Sequence, residues 1–294
     1  MSRNFKHEVA AINVRIRLKE NRNYSDLVES LAKLKRGVRV HGNSYLAINY
    51  FDNSKNFGVI SKYDEIEIDG EWFNVDGFNV ASSEDLEEIV LPQNLKPNHS
   101  RFYFVLDEKI HTLVFSSYAT SHSLSVNAVE KYFRAACNWK EVKEKFGPID
   151  ADIVRDHGRV EEILSLPNLR EVEIIIRPPN PDDVNEVLAR VIEKRLKEQN
   201  AEVYEERIKS SGKIHLIPNE RTKALGNIAA DNGEVKVKNV ENGIVVPYTS
   251  NNMPLKEVKT FKGDTSELSI FNILAKQVLS RIHAARSKNQ SAIE

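Results

Sequence analysis

A single cysteine among 294 residues, Cys137, allows no intrachain disulfide and no paired-cysteine metal site, and such sparse use favours a reducing cytoplasm. No stretch approaches the roughly 18 uninterrupted apolar residues that a membrane-spanning helix needs. The first residues hold Arg3, Lys6, Glu8, Arg15, Arg17 and Lys19 without an apolar centre, which is not the pattern of a secretory leader. Glycine is sparse, and its twelve positions nowhere spell a phosphate-cradling GxxxxGK or GxGxxG loop, or the GxSxG turn of a nucleophilic serine. None of the eight histidines stands three or four residues from another, so no helical pair of metal ligands is available. No cofactor and no metal are expected.

What remains is the composition of an ordinary globular protein: 40% hydrophobic, 29% charged, mean hydropathy −0.45. The net charge of −1 hides a polar arrangement, because residues 1–50 hold ten Lys and Arg against four acids while residues 51–100 hold three against eleven. Residues 9–18 alternate, with Ala10, Ile12, Val14, Ile16 and Leu18 on one side and Val9, Ala11, Asn13, Arg15 and Arg17 on the other. This predicts a half-buried strand whose basic face meets solvent. A helix capped by Asn23 or Ser25 runs to Gly37, and strands follow at 38–40, 45–51 and 57–63. Residues 101–106 and 110–115 read as a hairpin around Asp107, Glu108 and Lys109, with a helix over 126–137.

Gly147–Pro148 is the expected boundary between two lobes, 1–148 and 149–294. In the second, a strand at 171–176 runs into Arg177–Pro178–Pro179, Asn180 or Asp182 caps the next helix, and a short helix spans 220–230. Val235–Lys238 pairs with Ile244–Val246 across Glu241–Asn242–Gly243, and a long helix over 266–285 closes the chain. The expected class is α+β, two lobes of antiparallel hairpins with helices packed on one side.

Chemistry has few footholds. Asp107, Glu108 and Lys109 are the nearest approach to the acidic cluster and lysine of a metal-dependent nuclease, yet they are also good turn residues. Asp156–His157 is a candidate acid–base pair without a nucleophile, Asp182–Asp183 suits a helix start, and Cys137 suits a packed core. The cations carry more promise: Arg15, Arg17, Lys33, Lys35, Arg36, Arg281 and Lys288 are placed to track phosphates, and Tyr45 or Tyr248 to stack on bases.

The segment order 41–48 (HGNSYLAI), the hairpin 102–107 with 110–115, and 169–178 leading to a helix is similar to the RexA family of phage-exclusion proteins. The resemblance implies a two-lobed, dimeric, cytoplasmic protein that binds DNA without sequence preference in anti-phage defence, beside a membrane or effector partner encoded nearby. It transfers no catalytic residue. The alternatives are a toxin-like nuclease, and a partner-binding subunit docking through its acidic residues 64–90.

Overall fold

The computed structural model describes residues 4–18, 20, 22–66, 70–87, 89, 92, 94–179, 187–212, 214–263 and 265–291. The first half of the chain supplies β1 (Asn4–Ile16), α1 (Tyr24–Leu34), β2 (Val38–His41), β3 (Ser44–Asp52), β4 (Phe57–Asp64), β5 (Phe73–Asn74), β6 (Asn79–Val80), α2 (Ser83–Glu87), β7 (Ser100–Asp107), β8 (Thr112–Ala119), β9 (His122–Ser123), α3 (Val126–Ala136) and α4 (Lys140–Phe146). The second supplies β10 (Ile149–Ile153), α5 (His157–Leu164), β11 (Leu169–Ile176), α6 (Val187–Glu198), β12 (Tyr204–Lys209), α7 (Glu220–Asn232), β13 (Gly233–Glu241), β14 (Ile244–Thr249), β15 (Lys256–Lys262) and α8 (Glu267–Ser291). The protein is α+β with antiparallel sheets. The capping sites proposed at Asn180, Asp182 and Asp183 lie outside the described residues.

The large sheet runs β10–β1–β8–β7–β4–β3–β2, and β15 shares the β1 edge with β10. Residues 4–10 of β1 pair with β15, and residues 12–16 with β10. The expected boundary at 148/149 therefore does not divide the sheets: β10, β15 and α8 complete the first one, and the smaller sheet β12–β11–β13–β14 is an insertion between them. The reason lies in β1. Its even residues Ala10, Ile12, Val14 and Ile16 pack under α1 and α3, while Val9 and Ala11 on the other face pack against Ile270, Phe271, Leu274 and Val278 of α8. β1 is thus buried on both faces, with one cover from α1 and α3 and the other from α8 at the far end of the chain.

The smaller sheet keeps helices on one face, where Val172, Ile174, Ile176, Val235 and Val237 meet Val160, Ile192, Leu225 and Ile228. Its other face is a charge lattice, Arg207 with Glu171 and Lys236 with Glu173. The β13–β14 hairpin turns through Asn242 and Gly243, both at positive φ, as the sequence indicated. At α1, Asn23 caps as expected, accepting from the Asp26 amide at 2.8 Å, but the helix ends on Lys35 in the left-handed region and not on Gly37.

Cys137 lies in the core under α3, and burial pushes its thiol up to about 12. A thiol-specific reagent at pH 8 should leave native protein unmodified and label one site after denaturation; labelling without unfolding would contradict this packing.

Candidate nucleic-acid interface

Of the cations expected to meet phosphate, Arg15 is corrected outright: it is 1% exposed, on the β1 face that was assigned to solvent. Its guanidinium pairs with Asp152 and donates to Asn232 Oδ1 at 2.9 Å. Asp152 also accepts from Arg134 at 2.9 Å and Arg177 at 2.7 Å. Burial alone would push the Asp152 carboxyl up, but Arg15, Arg177 and Arg134 reverse this and hold it below the usual carboxylate range. Here α7 and the end of β11 are joined to the large sheet, so the network is structural.

Most of the remaining cations are already held by acids. Arg17 pairs with Asp150 at 2.7 Å, Lys33 with Glu29 at 2.8 Å and Arg36 with Glu141 at 2.7 Å. Arg281 lies on α8 between Asp156 and Glu257, at 2.9 and 2.6 Å. Lys35 is exposed without a described acidic partner, and the Lys288 side chain lies outside the described residues.

The candidate acid–base groups are also placed. Asp107 Oδ1 accepts the Lys109 amide at 3.0 Å, closing the β7–β8 turn, and Glu108 accepts from Asn56 at 3.0 Å. Asp156 caps α5 and does not pair with its neighbour. His157 meets Asp231 instead, at 3.1 Å, beside Arg286 at 3.0 Å. Burial would raise the Asp231 carboxyl, and Arg286 and His157 together hold it well below the ordinary range. Among the described residues no three His, Cys, Asp or Glu are grouped to hold a metal ion.

A different surface gathers aromatic rings and cations. Leu46, Ile48, Ile60, Phe102 and Phe104 of β3, β4 and β7 point into the core under α1 and α3, so their alternating neighbours face the other way. Along that face, register places Arg39 beside Tyr45 and Tyr45 beside Tyr63, then Ala47, Ser61 and Arg101 in a row, then Tyr50, Val59 and Tyr103. Phe271 of α8 reaches Tyr103 and Phe57, at centroid distances of 5.8 and 6.4 Å, and marks where this helix stops covering the sheet. Beyond it Tyr50 is 50% exposed, Arg39, Arg101 and His99 are exposed, and Tyr45 and Tyr63 are half-buried.

Tyr45 and Tyr63 stack at 5.7 Å with 9° between their planes. The Tyr63 hydroxyl extends over Gly37, where a Cβ would lie 2.1 Å from it. Gly37 thus serves this flat arrangement of rings and not the helix end. Arg101 meets no carboxylate among the described residues, and His99 bonds Ser61 at 3.0 Å. Glu65, the acid at this end, is bonded by Lys96. Of these residues the sequence singled out Tyr45; Tyr248, its companion, packs on the smaller core and bonds Glu241. The signal for the rest was the alternation in β3 and β4, whose significance depends on which face α8 leaves bare.

The fold and this face define an α+β protein with a large sheet that, among the described residues, is partly uncovered and carries tyrosines and arginines. The chain belongs to the family described as a domain of unknown function, DUF4747, whose model matches residues 5–276. Comparison with curated proteins and with solved structures gives no match. Among the described residues no helix is long and apolar enough to cross a membrane.

Proposed function

We propose that the protein binds DNA without sequence preference on the uncovered face of its large sheet, single strands best, and acts without catalysis of its own in anti-phage defence. The observation that carries the binding is the stacked Tyr45–Tyr63 pair flanked by Tyr50, Arg39 and Arg101. Aromatic rings on a sheet accept any base by stacking, and neighbouring guanidiniums take the phosphates or stack in turn. No base-reading helix is required. The defence role rests on the RexA-like order of segments, and with it come the expectations of a homodimer and of a membrane or effector partner.

The test is a titration with unrelated single- and double-stranded DNAs and an RNA at two salt concentrations, with and without magnesium. The expected result is salt-sensitive binding, similar across sequences, strongest for single strands, with the DNA intact. Cut product in magnesium would replace this reading with a nuclease, and absence of binding would overturn it.

A further inference from the structure

Between Tyr63 and Leu95 the chain carries ten of its 43 Asp and Glu and none of its 42 Lys and Arg, so the remainder holds nine more cations than anions. Inside this acidic stretch β5 and β6 form a hairpin, and its apolar side chains face solvent: Phe73 is 55% exposed, Val75 76%, Phe78 82% and Val80 63%. Four exposed apolar side chains gathered on one short hairpin are a feature that a partner surface can cover. The tip is built. Asn74 Oδ1 accepts the amides of Asp76 and Gly77 at 3.0 Å each, Phe78 stands at φ 53°, and its ring meets Phe73 edge-on at 5.2 Å.

A matching receptor exists on the same chain. A cleft of about 420 Å³ has a floor of Val40, Leu46, Leu124 and Ala128. Its rim carries His41, Lys62 and Lys131. The lysines are held in place, Lys131 by the Val40 carbonyl at 2.8 Å and Lys62 by the Ser123 carbonyl at 3.2 Å. The cleft thus offers what the hairpin lacks, an apolar slot with a cationic rim. The cleft lies at the end of the large sheet where β4 finishes and β7 begins. The hairpin is carried on the connection from the end of β4, two residues past Lys62, to the start of β7. A two-fold axis near that end would let each copy give its hairpin and receive its partner's in one self-complementary contact.

We propose that two copies of this chain associate reciprocally, the Phe78 tip of each seated in the cleft between β2 and the start of α3 of the other, with Glu71 and Asp76 against the lysine rim. The inference does not depend on the DNA-binding reading, since neither Phe78 nor Lys131 belongs to the tyrosine face.

Sedimentation or light scattering of full-length protein over a concentration series, at low and high salt, tests it. The wild type should be a dimer that salt weakens. Phe78→Ser and Lys131→Glu should each shift it at least tenfold toward monomer while circular dichroism and melting stay unchanged. Mixing Lys131→Glu with Asp76→Lys should restore dimer in the mixture beyond either variant alone, through the contact in which both reversed charges meet. A monomeric wild type, or a dimer indifferent to both Phe78→Ser and Lys131→Glu, would overturn the proposal.

Discussion

Replacing Asp152 by alanine should cost about 3–5 kcal/mol of stability, the usual penalty for breaking a buried ion pair from one side. Asp152 is fully buried and answers three guanidiniums, of which Arg15 is itself 1% exposed. Without the carboxylate, Arg15 retains a desolvated charge that the Asn232 amide oxygen does not neutralise. Asp152→Asn keeps the shape and loses the charge, so it should remain strongly destabilised. Urea unfolding checks both, with Lys33→Ala as a surface control that should not move the midpoint measurably. A small loss at Asp152 would mean that the junction between the sheets is not held electrostatically.

The same network sets the acid limit. Both Asp152 and Asp231 have folded-state pKa values below the ordinary carboxylate value, so their contribution is fully present above the unfolded pKa near 3.9. It is lost as pH falls from there through the folded values. The wild-type midpoint should therefore drop steeply below about pH 4. In Asp152→Asn the acid slope should be shallower, because one proton fewer is taken up on unfolding.

The second large effect concerns binding. Tyr45→Ala and Tyr63→Ala should each weaken single-stranded DNA by about tenfold, since a base stacked on an aromatic ring contributes about 1–3 kcal/mol. Arg101→Gln should reduce the salt slope by about one and act alike on all sequences. Arg36→Gln is the informative contrast, because Glu141 already occupies that guanidinium with two bonds. Titration by fluorescence anisotropy separates these outcomes. If Arg36→Gln weakened binding more than Arg101→Gln, the interface would belong at the end of α1 and not on the sheet.

The elements were largely legible in the sequence, because capping residues, turn pairs and alternation act locally. Asn23 before α1, Asn242–Gly243 between β13 and β14, and the β7–β8 hairpin are examples. What local pattern could not carry was which second face becomes covered. Arg15 and Arg17 alternate identically in the sequence, yet Arg15 lies within β1 and is buried against Asp152, while Arg17 lies one residue past the end of the strand and pairs with Asp150 at the surface. The difference is made by residues more than 130 positions away. For the same reason the large sheet takes in β10 and β15 and is covered by α8, where Gly147–Pro148 suggested the start of a separate second lobe. The tyrosine face was half visible, since Tyr45 stood out in the sequence, while Tyr50, Tyr63 and Arg101 form a surface because they lie beyond the Tyr103 and Phe57 rings that Phe271 of α8 reaches.

The most direct test of the central claim is photocrosslinking of the full-length protein to bromodeoxyuridine-substituted single-stranded DNA, followed by peptide mapping of the adducts. The expected result is adducts concentrated on Tyr45, Tyr50 and Tyr63, competed equally by unlabelled strands of unrelated sequence. Adducts confined to other elements, or none at saturating DNA, would contradict the assignment of the sheet face as the nucleic-acid interface.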